Sequence, residues 1–276
     1  MSNHFVAPAL ALALLSGVMA TSTASAATLE EAIKGPQRTP DYAQRDRYRH
    51  PEETLSFFGV KPNMAVVEIW PGSGWYSEIL APYLRDHGKY YVATPAASLP
   101  DASPGTKNAV AMLHAKFDAA PTAYDKVTFT EFRPPLRTEI APAGTADVVL
   151  TFRNVHNWIV GGYEQDAFKA FYAALKPGGV LGVVEHRAPE GMDLAGTKKS
   201  GYTSAGYVKA LAHAAGFTFA GESHVNDNPK DTKDYAEGVW TLPPTLFLKE
   251  TDREKYLAIG ESDRMTLKFV KPKAAK

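Results

Sequence analysis

The stretch Glu68-Ile69-Trp70-Pro71-Gly72-Ser73-Gly74-Trp75-Tyr76 decides the fold. It closes an apolar run, Ala65-Val66-Val67-Glu68-Ile69, that reads as a buried strand. It opens a segment in which Tyr76, Ile79, Leu80 and Tyr83 recur at helical spacing. Gly72 and Gly74 carry no Cβ, so the backbone can turn sharply there and let a ligand come close. The first N–H groups of the helix have no intrahelical acceptor and can hold a carboxylate. Many strand-to-helix turns use glycine, and the signal gains meaning only from what surrounds it.

Downstream, strands and helices alternate. Residues 89–94 read as a second strand, residues 126–132 as a third, residues 147–152 as a fourth and residues 180–185 as a fifth. Between them, Val110, Leu113 and Phe117 stripe one helix, and Phe168, Phe171, Tyr172 and Leu175 another, ended by Lys176-Pro177-Gly178-Gly179. Val208, Leu211, Ala212 and Ala215 mark a further helix, followed by strand-like residues 217–225 and 265–270. This order implies a mainly parallel sheet with helices on both faces. Such sheets bind ligands beyond the C-terminal ends of their strands, so the residues just after each strand are the place to look.

Upstream, residues 1–26 contain no Lys, Arg, Asp or Glu, and residues 6–20 are almost wholly apolar. With Ala24-Ser25-Ala26 they fit a signal peptide cleaved near Ala26, which implies export, to the periplasm in a bacterium. Residues 27–61 read as an N-terminal helical extension, in which Arg45-Asp46-Arg47-Tyr48-Arg49-His50 suggests a solvated helix face. Residues 62–276 then form the main domain, and no second hydrophobic span follows. Thirty basic and thirty acidic residues cancel, so no global field recruits nucleic acid. Cysteine is absent, which excludes disulfides, a thiolate nucleophile and Cys-ligated metal.

The chain resembles the class I S-adenosylmethionine (SAM) methyltransferases, whose first motif is an acid followed by x-Gly-x-Gly-x-Gly. Glu68, Gly72 and Gly74 match the acid and the last two glycines, and Trp70 stands at the first. More narrowly it is similar to a group of exported methyltransferases in that stretch, in Arg153-Asn154-Val155-His156-Asn157-Trp158 and in Gly260-Glu261-Ser262-Asp263-Arg264-Met265. The resemblance implies a Rossmann-like, seven-stranded sheet whose last strand runs antiparallel. It implies SAM as cofactor, with its methionine part over Gly72, Ser73 and Gly74. Glu68, Tyr76, Thr94, Arg153 and Asn154 are the other candidates for cofactor contact. Relatives often carry an acid after the second strand for the ribose, where this chain has Ala93-Thr94-Pro95 and offers only the Thr94 hydroxyl.

Methyl transfer needs alignment of acceptor with donor, and a base where the acceptor must lose a proton. His156, after the fourth strand, is the candidate base, because free imidazole titrates near neutrality. Glu185 and His186, at the end of the fifth, are further catalytic candidates, and a structural pairing of Glu185-His186-Arg187 is equally open. Their spacing matches no closed zinc pattern, so no metal is expected. Tyr48, Trp75, Tyr76, Trp158 and Tyr163 can line an aromatic pocket or simply pack. Asp263-Arg264 reads as a structural ion pair or turn. The expected activity is SAM-dependent methylation of a small molecule. The alternatives are a non-catalytic exported binding protein with this fold, or an NAD(P)-dependent oxidoreductase, since Gly72-Ser73-Gly74-Trp75-Tyr76-Ser77 approximates a dinucleotide motif.

Overall fold

Strands covered on both faces must be apolar on both, and the central strands of this protein are. Successive side chains alternate between two cores. Val67, Ile69, Val149, Leu181 and Val183 enter one core, and Val66, Val148, Leu150 and Val184 the other. This computed structural model describes residues 1–4 and 27–273. Residues 5–26, which carry nearly all of the expected export signal, lie outside the described residues.

The chain begins with four short helices, α1 (Leu29–Lys34), α2 (Pro40–Ala43), α3 (Asp46–Arg49) and α4 (Pro51–Phe58). The alternating part follows as β1 (Ala65–Ile69), α5 (Ser77–Leu84), β2 (Lys89–Pro95), α6 (Pro104–Asp118), α7 (Pro121–Tyr124) and β3 (Val127–Phe132). Next come β4 (Ala146–Phe152), α8 (Val155–Gly161), α9 (Glu164–Ala174) and β5 (Leu175–His186). The chain ends with α10 (Leu194–Ser200), α11 (Ala205–Ala214), β6 (Thr218–Ser223), α12 (Arg253–Ile259) and β7 (Arg264–Val270). The seven strands form one sheet in the order β3-β2-β1-β4-β5-β7-β6. β7 runs antiparallel to both β5 and β6, while the pairs among the other strands are parallel. The expected seven-stranded sheet with an antiparallel last strand is therefore present.

α8, α9 and α11 cover one face, and α4, α5 and α6 the other. The order reverses direction between β1 and β4, and that switch point opens a crevice at the C-terminal edge. Among the described residues, no helix is long and apolar enough to cross a membrane.

Two elements differ from the sequence expectation. β5 starts at Leu175, because the Lys176-Pro177-Gly178-Gly179 turn is stitched into the sheet. Gly178 N donates to Lys271 O, Lys271 N donates to Gly179 O, and a register shift absorbs the extra residues. Val155–Gly161, to which the sequence reading assigns no element, is a helix anchored by buried Val155, Trp158 and Ile159. His156 thus follows the fourth strand, as expected, and sits in the first turn of this helix.

Candidate active site

The glycine bend leaves β1 at the crevice. Trp70 N donates to Ala93 O and Gly74 N to Pro71 O, which closes a tight turn before α5. Gly72 and Gly74 have φ of 61° and 83°, the left-handed region that costs glycine nothing. A Cβ at Gly72 would meet nothing within 4 Å, so the outer side of the bend is open. The exposed N–H groups of Gly72 and Ser73 bond to no acceptor among the described residues.

Trp70 keeps this geometry without being glycine. Its φ is 48°, a conformation that costs a non-glycine residue about 1–2 kcal/mol. The indole offsets that cost by turning sideways. Its Nε1 donates to Phe132 O at 3.0 Å, and its ring makes edge contacts with Phe132, Trp158 and Tyr163. Each such aromatic contact contributes about 0.5–1.5 kcal/mol beyond area burial, so together they outweigh the strain. The bend is not plugged. Beside the indole lies a cavity of about 190 Å³, walled by Trp70, Ala96, Asp101, Arg133 and Tyr163 among others.

On the other side of the switch point, Arg153 leaves β4 with φ of 62°. Asn154 follows, and its amide donates to Ile69 O at 2.9 Å and to Thr151 Oγ1 at 3.2 Å, strapping β4 to the start of the bend. His156 then presents its Nδ1 to Glu185 Oε1 at 3.0 Å. Glu185 is fully buried, and the same carboxylate accepts from the backbone N–H of His186 at 2.8 Å and of His156 at 3.3 Å. A carboxylate on Nδ1 fixes the proton there and leaves Nε2 as the lone-pair nitrogen. His186, 5.4 Å from His156 between ring centroids, places Nδ1 2.5 Å from Ser262 Oγ. Burial, reinforced by His156 and by Arg153, Arg264 and Arg49, holds the His186 imidazole well below its ordinary pKa. A cavity of about 170 Å³ lies against Arg153, His156, His186, Trp240, Glu261 and Ser262.

Around Glu261 the charges crowd. Its carboxylate lies 2.6 Å from Arg45 Nε, 3.1 Å from Arg49 Nε, 3.1 Å from an Arg264 nitrogen and 4.0 Å from an Arg153 nitrogen. Burial alone would raise its pKa, but the arginines win and hold it at about 2. Arg49, also buried, is lowered to about 9 by burial and its cationic neighbours. The run Arg45 to His50 is therefore not a wholly solvated face: Arg45 and Arg49 turn inward to Glu261 while Arg47 stays exposed.

His156, Glu185 and His186 each offer one metal-ligating atom, all within 4.8 Å of one another. The sequence offers these three as ligand types without a closed spacing, and the fold brings the start of α8 and the end of β5 together. The surroundings oppose a dication. Glu185 already takes three N–H bonds, and Arg49, Arg153 and Arg264 supply repulsion.

The other candidates sort cleanly. Gly72, Ser73 and Gly74 form the bend. Arg153 and His156 share one cavity with His186, while Asn154 works on the bend from behind. Glu68 is buried at the end of β1, its Oε2 accepting from the Ser77 and Tyr90 hydroxyls, and burial raises it to about 7. Thr94 is buried and donates to Thr130 O, so its hydroxyl does not face the crevice. Tyr76 stacks on Phe152 with ring centroids 3.6 Å apart and is packing. Trp75 and Trp158 are buried likewise, whereas Tyr163 and Tyr48 do line cavities. Asp263 pairs with Lys233 at 2.7 Å and Arg264 with Glu261, so the two do not pair with each other. Sequence reasoning missed Asp101, which the loop after β2 brings to the cavity wall, paired with Arg133 at 2.7 Å. Its signal was weak: one acid in a Pro- and Ser-rich loop, six positions beyond the strand end.

No protein-family profile and no curated protein sequence matches this chain. Among solved structures it is similar to a SAM-dependent methyltransferase from Aquifex aeolicus, with TM-score 0.53 and 15% identity over 88% of this chain and 98% of that one. It is also similar to the [4+2]-cyclase SpnF, with TM-score 0.56 and 15% identity over 89% of this chain and 92% of that one. The fold is the Rossmann-like class I methyltransferase fold. One of these two neighbours is titled a cyclase, so the fold by itself fixes no reaction.

Proposed function

We propose that this protein is a SAM-dependent methyltransferase acting on a small molecule outside the cytoplasm. The observation that carries the reading is the open Gly72–Ser73 bend with its free N–H groups, tied through Asn154 to the strand end that leads to the His156 cavity. The donor set fits the cofactor: N–H groups for its carboxylate and a crevice for its nucleoside, with Asp101 to accept from the ribose hydroxyls. When bound, SAM supplies a methyl group on a cationic sulfur that leaves as a neutral thioether.

The chain's own residues supply the rest. Asn154 holds the bend and the end of β4 in register, so donor and acceptor sites keep a fixed relation, and alignment lowers the barrier. His156 Nε2 takes the proton that the acceptor loses as its oxygen or nitrogen bonds to the methyl carbon. Glu185 acts through His156 as a positioning residue, fixing the tautomer and stabilising the imidazolium that forms. His186, held neutral, lines the acceptor cavity without adding charge. We assign no metal to this group, and dialysis against a chelator is expected to leave turnover unchanged.

Calorimetric titration with SAM tests the reading, and binding is expected with one site per chain. A folded protein that ignores SAM but binds another metabolite would favour the non-catalytic alternative, and one that binds NADH would favour the oxidoreductase. For export, N-terminal sequencing of secreted protein is expected to begin at Ala27.

A further inference from the structure

The arginine cluster is larger than its single carboxylate requires. Four guanidinium groups share Glu261, which leaves an excess of three positive charges. Arg49 is 2% exposed, and its Nη1 has no hydrogen-bond partner; the buried Nη2 of Arg45 lacks one as well. Buried donors without acceptors are costly, and guanidinium groups pair best with oxyanions. The next buried carboxylate, Glu185, is already taken by His156 Nδ1 and by the backbone N–H groups of His156 and His186.

Arg153 and Glu261 both line the cavity that holds His156. An anion entering it would meet Arg153 directly and lie in the field of the other three. Arg153 also holds a left-handed backbone conformation, with its N–H fixed to Val184 O at 2.7 Å. Strained, over-determined residues of this kind cluster at ligand sites. A cation or a fully apolar acceptor would gain nothing from such a wall.

We infer that the Arg153 cavity binds a small oxyanion, a carboxylate or a phosphate-type group, carried by the methyl acceptor. The inference rests on the proposed reaction for the word acceptor, while the anion site stands on the arginine cluster alone. The nucleophile of the acceptor then lies toward His156 and the anionic group toward Arg153, which sets the orientation of the bound molecule.

The test is calorimetry on the full mature protein with two probes, inorganic phosphate and benzoate, at fixed chloride. One of them is expected to bind, Arg153→Gln is expected to weaken it at least tenfold, and Arg153→Lys to weaken it less. Melting curves establish that both variants fold. If Arg153→Gln does not fold, the comparison of Arg153→Lys with the natural protein decides, with at least a threefold loss expected. Saturating S-adenosylhomocysteine, which fills the cofactor site, is expected to leave probe affinity within twofold. Failure of both probes to bind, or indifference to the Arg153 variants, would overturn the inference. So would displacement by S-adenosylhomocysteine, because the cluster would then serve the cofactor's own carboxylate. Failure of SAM itself to bind would remove the methyl-transfer reading and leave the anion result standing.

Discussion

His156 and Glu185 come into contact only because a helix begins at Val155 and β5 ends beside it. His156→Ala is expected to lower kcat roughly 100- to 10,000-fold, the usual worth of a positioned base, with SAM affinity unchanged. Glu185→Gln keeps an acceptor for Nδ1 but loses the charge. It should lower kcat and move the pH–rate profile, a shift that a merely structural carboxylate would not cause. Glu68 makes a separate prediction. Its pKa is about 7 in the folded protein against an ordinary value of 4.5, so the folded state binds its proton more tightly than the unfolded state. Stability from this group is full below about pH 4.5 and is lost as the pH rises to about 7. By linkage the loss is on the order of 3 kcal/mol. Denaturation of the natural protein and of Glu68→Gln across that range isolates the effect, and the stability difference between them should shift toward the variant as pH rises. Parallel curves would contradict it.

The elements show what the sequence makes legible and what it hides. Strands β1 to β4 and helices α5, α6, α9 and α11 announce themselves through period and apolar content, because each buries a continuous face. α8 is hidden, since its seven residues carry too few turns for a period and Asn154, at its N-cap position, spends its amide on β1 instead of capping. The loop after β2 is hidden for a different reason. The strand end brings only Pro95 and Ala96 to the cavity, neither with a polar side chain, and the chain returns Asp101 to it. Asp101→Asn is expected to weaken SAM binding about tenfold, equivalent to about 1.4 kcal/mol, with little change in melting temperature. Equilibrium dialysis reads the first quantity and circular dichroism the second. An unaltered affinity would take the ribose away from this loop.

The molecule as a whole ties its N-terminal helices to its last strand. Residues 27–61 read from sequence as an N-terminal helical extension, and in the fold Leu55 and Phe58 are fully buried in the core with α5, while Arg45 and Arg49 reach Glu261 beside β7. Charge runs look alike whether they face water or a buried carboxylate more than 200 positions away, so only the fold distinguishes them. Leu55→Ala should cost about 3 kcal/mol, as deletion of a buried leucine side chain does, measured by urea denaturation. A loss below about 0.5 kcal/mol, the range of a surface change, would detach these helices from the core. The glycine bend is the reverse case: local sequence states it fully, and the fold adds only where Trp70 goes. Central to the account is that this bend holds the cofactor while the cavity at His156 receives the acceptor. A crystal structure with S-adenosylhomocysteine tests that most directly. The predicted result is density over Gly72 and Ser73, nucleoside beside Trp70 and Asp101, and sulfur facing the His156 cavity. Density elsewhere, with the bend bare at saturating ligand, would contradict it.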